Sequence, residues 1–121
     1  MEPNTIKYTF TKKERLHSAS EFKKVLQKGE VYSNEYLKVF LFTSDPNQRF
    51  SRLGLIVSHK LSNSVNRNRL KRRLREIFRL NKHRLKRKVD IVIIPNRNSV
   101  FVDYHILENS ILKILRDADL I

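Results

Sequence analysis

Ser64-Val65-Asn66-Arg67-Asn68-Arg69-Leu70-Lys71-Arg72-Arg73-Leu74-Arg75-Glu76-Ile77-Phe78-Arg79-Leu80-Asn81 is the stretch on which the fold turns. At about 100° per residue, Leu70, Leu74, Ile77 and Phe78 fall on one stripe, and Asn68, Lys71, Arg72, Arg75 and Arg79 fall opposite it. The spacing predicts a helix that starts near Ser64 to Asn66, ends about Asn81, and docks by its apolar side. Its charge is one-sided. Residues 67–88 hold twelve Lys or Arg against one carboxylate, Glu76, so twelve minus one gives +11 of the chain's +14. Arg67, Lys71, Arg75 and Arg79 form three like-charged i,i+4 steps, which cost an isolated helix roughly 1 kcal/mol. Arg67 and Arg69 also stand in the first turn, where the helix dipole disfavours cations. A solvated helix mixes signs, whereas a bound phosphate satisfies both the cations and the bare amides of the helix start. Nucleic acid is the expected partner.

Working outward toward the N-terminus, Arg52 to Ser58 reads as a strand, and Asp45-Pro46-Asn47 as a turn. Tyr36 to Thr43 alternates, with Tyr36, Lys38, Phe40 and Phe42 on one side and Leu37, Val39 and Leu41 on the other. Both sets are largely apolar, so this strand is expected inside the sheet and covered on both faces, paired with Arg52 to Ser58 as an antiparallel hairpin. Val31 to Ser33 reads as a further short strand. Ser18-x-x-Glu21 is a capping box for a helix running to about Lys28, with Gly29 as a left-handed stop. Phe22, Val25 and Leu26 share one face of it. Residues 1–17 read as an extended basic arm.

Toward the C-terminus, Val89 to Ile94 reads as a strand ended by Pro95. Asp103 to Asp117 reads as a helix with Ile106, Leu107, Ser110, Ile111, Ile114 and Leu115 as its stripe. The 121 residues, 40% apolar, fit one compact domain spanning 1–121. The order α-β-β-β-α-β-α describes an α+β domain in which helices cover a small mixed sheet.

Several function classes are excluded. There are no cysteines, hence no disulfide framework and no thiolate nucleophile. The longest apolar stretch, Val89 to Ile94, is interrupted by Asp90 and is far too short to span a bilayer. The first twenty residues lack the apolar core of a secretory signal, so a soluble, cytoplasmic protein is expected. A membrane-surface helix would need more than one aromatic on its stripe. A helix-turn-helix would need a short helix at turn spacing before the basic one. His17, His59, His83 and His105 are scattered without ligand spacing, so no metal site is expected in the protein, and each reads as a surface or packing histidine.

The run Gly54-Leu-Ile-Val57-Ser58-His-Lys60-Leu-Ser-Asn-Ser-Val65-Asn-Arg67-Asn68-Arg69-Leu-Lys71-Arg72-Arg73-Leu-Arg75-Glu76 closely resembles the signature of the ribonuclease P protein family. Its core is the Arg-Asn-Arg triplet followed by Lys-Arg and Arg-Glu. Glu21-Phe22-Lys-Lys-Val25-Leu26, Gly29 and Val89-Asp90-Ile91-Val92 extend the resemblance over nearly the whole chain past residue 14.

The resemblance implies a four-stranded mixed sheet with a left-handed β-α-β crossover around the basic helix. It implies a ribonucleoprotein enzyme that removes the 5′ leader of precursor tRNA. Hydrolysis would be carried out by the RNA subunit with Mg²⁺ held by RNA and substrate, leaving no catalytic residue in the protein and no obligate protein partner. Arg67, Asn68, Arg69, Lys71, Arg72 and Arg75 would meet the catalytic RNA. Phe22, Leu26, Phe40 and Lys60 would line a leader-binding cleft. For Phe22 and Phe40, stacking on bases and ordinary core packing both remain open on the sequence alone. Leu26 stands where the family commonly has a second aromatic, Ile56 where a small polar residue is common, and Ser62 and Ser64 replace Gly and Ala. A non-enzymatic RNA-binding or ribosomal-type protein is the alternative that charge alone would allow.

Overall fold

The apolar runs sort into two layers on one sheet. The computed structural model describes residues 8–121. Its elements are α1 (Ala19–Lys28), β1 (Glu30–Ser33), β2 (Leu37–Phe42), β3 (Arg52–Leu55), α2 (Ser64–Asn81), β4 (Asp90–Pro95) and α3 (Tyr104–Asp117), with 3₁₀ turns at Lys12–Glu14, Lys82–Arg84 and Arg97–Ser99. The sheet order is β1-β2-β4-β3. β2 is antiparallel to both β1 and β4, and β3 runs parallel to β4 through the α2 crossover.

The expected hairpin between Tyr36–Thr43 and Arg52–Ser58 does not form, because β4 lies between them. Interior position goes to the strand that is apolar on both faces. Asp90, Ile91, Val92, Ile93 and Pro95 are all buried in β4, whereas β3 carries Arg52 and Gly54 on one face and stops at Leu55. A continuous apolar run marks a strand covered on both sides, as parallel pairing requires. β2 is interior as expected, but its second face is only partly covered: Lys38 is exposed, and Phe40 and Phe42 are half-buried.

On one face, Leu37, Val39, Ile91 and Ile93 pack against the Leu70, Leu74, Ile77 and Phe78 stripe of α2 and against α3. In α3 the buried set is Leu107, Ile111, Leu112, Ile114 and Leu115. Leu112 thus takes the place expected for Ile106, which is exposed. On the other face α1 lays Val25 over Val92, with Leu16 beside them. Gly29 ends α1 with extended backbone, φ −76° and ψ 158°, not the left-handed stop expected. Its lack of a side chain serves close approach instead, since a Cβ there would fall 2.5 Å from the Val25 carbonyl oxygen and 3.0 Å from that of Leu41.

The N-terminal arm is built into the domain from residue 8 onward, while residues 1–7, Lys7 among them, lie outside the described residues. Leu16 N–H donates to Leu53 O at 3.0 Å, and Arg15 bridges Leu53 in parallel, which occupies the free edge of β3. Glu14 is buried, accepts from Thr11 N–H at 2.9 Å, and forms an ion pair with Lys82.

A three-residue ionic network fixes α1 over the sheet. Arg52 donates to Asp90 from Nε (2.9 Å) and Nη2 (2.7 Å), and to Glu21 from Nη1 (2.6 Å). Glu21 also closes the expected capping box, accepting from the N–H groups of His17 and Ser18, both at 2.9 Å. The backbone N–H of Ser18 and then that of His17, with Arg52 adding to them, hold the Glu21 carboxyl at about 2, below its ordinary 4.5. A depressed carboxyl stabilises above its unfolded pKa and loses that contribution as pH falls toward its folded one. The full linkage would be roughly 3 kcal/mol, and partial solvent exposure reduces it to about 1–2 kcal/mol. Urea denaturation should therefore show stability falling between about pH 5 and pH 2. Glu21→Gln should start lower at neutral pH and decline less; an unchanged acid limb in that variant would remove Glu21 as its source.

Candidate nucleic-acid interface

The N-terminus of α2 is capped by Asn63, whose side chain accepts from Asn66 N–H at 2.8 Å. Its buried stripe fixes the helix rotation, so the cations divide among three directions. Asn68 and Arg72 point outward and are exposed. Arg69 and Arg73 reach the segment before α3, donating to Val100 O (3.4 Å) and Val102 O (3.0 Å). The buried Arg69 Nε has no partner among the described residues. Lys71 and Arg75 turn to the other flank, toward α1. Arg67 folds back on the preceding turn, with Nη1 donating to Ser62 O at 2.6 Å and His59 O at 3.1 Å. Arg79, read as part of the displayed face, pairs with Glu76 at 2.5 Å and donates to Tyr8 O at 2.9 Å. The like-charged ladder is therefore relieved at both ends and bare in the middle.

Between α1 and the end of β3 lies an open groove of about 540 Å³ lined by Phe22, Leu26, Leu55 and Ile56. On the other side of Phe22 is a cleft of about 280 Å³ lined by Arg15, His17, Gly54, Lys71 and Arg75. Phe22 borders both, so the two hollows form one trough with an aromatic ridge between an apolar end and a cationic end. Phe22 lines both hollows and Leu26 the apolar one. Phe40 lines neither hollow; its half-buried ring packs with Val25 and Val92 in the smaller core. Lys60 is exposed in the turn after β3 and lines neither hollow. Lys71 and Arg75, grouped by sequence with the outward face, stand in the trough instead.

Among the described residues no carboxylate lines the trough. Arg15 lies over the Phe10 ring, 4.4 Å from its centroid. Burial first, and repulsion from Arg15 second, pull the Arg75 pKa below its ordinary value. Two guanidinium groups held close without an anion cost free energy that a bound phosphate would recover. Among the described residues no group of three or more His, Asp or Glu is placed to hold a metal ion. His17 instead bonds Lys12 O at 2.7 Å, and His83 and His105 meet Tyr8 and Tyr104 edge-on.

The sequence matches the family model described as Ribonuclease P over residues 10–119. The chain belongs to the ribonuclease P protein family. It is 38% identical to the ribonuclease P protein component of Clostridium novyi over 109 residues, covering 90% of this chain and 96% of that one. It is also 38% identical to that of a Thermotoga strain over 112 residues, covering 89% and 94%. Among solved structures, the Staphylococcus aureus RNase P protein superposes with a TM-score of 0.79 at 28% identity, covering 88% of this chain and 96% of that one. The RNase P protein from Thermotoga maritima gives 0.75 at 33% identity, covering 86% and 96%. The chain accordingly serves as a protein component of ribonuclease P, in tRNA processing. Among the described residues no helix is long and apolar enough to cross a membrane.

Within this ribonuclease P protein, Arg15, His17, Leu55 and Ile56 are trough residues that the sequence reading missed. Their signal was positional: Arg15 and His17 immediately precede the capping box, and Ile56 continues the alternation past the strand end. Gly54 is what lets the Phe22 ring approach the sheet closely, because a Cβ there would fall 2.4 Å from the ring. Gly54→Ala should displace the ring edge, costing only about 1–2 kcal/mol in urea denaturation since the ring can swing. If the 5′ leader of precursor tRNA lies in the trough, the substitution should also erase preference for leader-bearing over leaderless tRNA. Retention of that preference would show that ring placement does not matter to the substrate.

Proposed function

We propose that the exposed Asn68 and Arg72 of α2, flanked by Arg67 and Arg69, bind the catalytic RNA of ribonuclease P, and that the trough bordered by Phe22 receives the 5′ leader of precursor tRNA. The observation that carries this reading is the trough itself. A single strand needs cations spaced along its phosphates and a planar or apolar surface for its bases, with stacking contributing ~1–3 kcal/mol per base. Arg15, Lys71 and Arg75 supply the first, and Phe22 with Leu26 the second. Phe40 supports the ridge from beneath by packing under α1, and Lys60 adds positive potential near the end of β3.

The groups in the trough bind and orient anions. We assign hydrolysis of the leader to the RNA subunit, with Mg²⁺ held by RNA and substrate, and to the protein the tightening of substrate and metal binding by neutralising nearby phosphates. Reconstitution of the chain with a bacterial ribonuclease P RNA tests this. At low Mg²⁺ it should accelerate cleavage of precursor tRNA over RNA alone and bind leader-bearing tRNA in preference to leaderless. Cleavage no faster than with RNA alone would reject the assignment, and equal binding of many structured RNAs would favour a general RNA-binding protein.

A further inference from the structure

At the far end of α2 from the Arg-Asn-Arg triplet there is a second basic hollow, an open cleft of about 710 Å³. Besides Lys82, its cations come from three separate segments: Lys12 and Lys13 of the N-terminal arm, Arg49 of the β2–β3 loop, and Lys88 before β4. Phe50, still 37% exposed, stands among them. The carboxylate lining the cleft, Glu14, is already neutralised by Lys82. Among the described residues none of Lys12, Lys13, Arg49 and Lys88 has an ion-pair partner. The triplet and Lys82 are thirteen to fifteen residues apart, about 20 Å along the helix axis, so this cleft is not an extension of the triplet's surface.

We propose that this cleft is a separate site for single-stranded RNA, gripping about four phosphates with Lys12, Lys13, Arg49 and Lys88 and stacking one unpaired base on Phe50. Cations from three segments converging on an exposed aromatic fit a flexible strand better than a duplex, whose bases are already stacked. The strand could come from the catalytic RNA or from the precursor tRNA. The site rests on the ribonucleoprotein reading only for the choice of RNAs to try.

Because the chain has no cysteine, Asn47→Cys allows a single hydroxyl-radical probe to be tethered beside the cleft. With the full chain bound to ribonuclease P RNA, and separately with precursor tRNA added, the probe should cut one discrete single-stranded segment, and the RNA that is cut identifies the source. Replacing Lys12, Lys13, Arg49 and Lys88 by Gln should abolish those cuts and lower the slope of log affinity against log salt by about 3, at ~0.7 per single-strand phosphate. Phe50→Ala should weaken binding about 5–10-fold at unchanged slope, at the lower end of what stacking contributes. Arg69→Ala serves as the reference for assembly. If it weakens binding while the cleft variants bind and salt-respond as wild type, the cleft proposal is wrong and the subunit reading stands. If the wild-type chain does not bind ribonuclease P RNA at all, the subunit reading fails first.

Discussion

Asp90→Ala should cost the domain about 3–5 kcal/mol in urea denaturation, the largest loss expected from any single substitution off the core. Asp90 is 1% exposed and accepts from two nitrogens of Arg52, from Gln48 Nε2 at 3.1 Å and from Ser44 Oγ. Removing the carboxylate leaves a guanidinium largely out of water with only Glu21 to meet it, and that uncompensated charge is where the cost arises. Arg52, whose pKa Asp90 raises above its ordinary value, stays ionised and cannot escape by releasing a proton. The cost should shrink sharply in an Arg52→Met background, because the Asp90→Ala, Arg52→Met pair buries no lone charge. Additive losses in that cycle, or a single-variant loss under about 1 kcal/mol, would mean the pair is not the tie between α1, β3 and β4. The functional consequence follows from position: Arg52 holds the capping-box glutamate of α1, so weakening it loosens one wall of the trough.

The parts of this molecule that could be read from its sequence are those set by local chemistry. The Leu70, Leu74, Ile77 and Phe78 stripe is buried as its spacing requires, and Ser18 with Glu21 closes its box within hydrogen-bond distance. What escaped reading depends on partners distant in the chain. Nothing near Asp90 announces Arg52, so in the sequence Asp90 stood only as an interruption of an apolar stretch. Nothing in Arg52 to Ser58 says that β4 will take the place beside β2, although the apolar run Ile91–Ile94 carried that signal on both faces of the strand. The outward face of α2 was drawn too wide for the same reason. A helical wheel places Lys71 and Arg75 away from the leucines, but only the position of α1 decides that this flank is a cleft wall and not open surface.

That difference sets the second large effect. Replacing Lys71 and Arg75 together by Gln should weaken binding of leader-bearing precursor tRNA on the order of 100-fold, or about 3 kcal/mol, from two charge-assisted phosphate contacts. The salt slope should fall by about 1.4, at ~0.7 per single-strand phosphate. Leaderless tRNA should lose far less. Arg72→Gln on the exposed face should instead weaken assembly with the catalytic RNA and leave the ratio between the two tRNAs unchanged. Folding is not at risk, since among the described residues neither Lys71 nor Arg75 has an ion-pair partner and Gln keeps much of the apolar stem. Relief of the repulsion between Arg15 and Arg75 should leave stability within about 0.5 kcal/mol of wild type, or slightly above it. A cycle pairing Arg75→Gln with Phe22→Leu adds a geometric check. If one strand crosses the aromatic ridge into the cationic cleft, the two losses should be coupled, because a base that leaves Phe22 draws its phosphate away from Arg75. Strict additivity there, or equal losses for leader-bearing and leaderless tRNA in the Lys71→Gln, Arg75→Gln variant, would return both cations to the surface that meets the catalytic RNA.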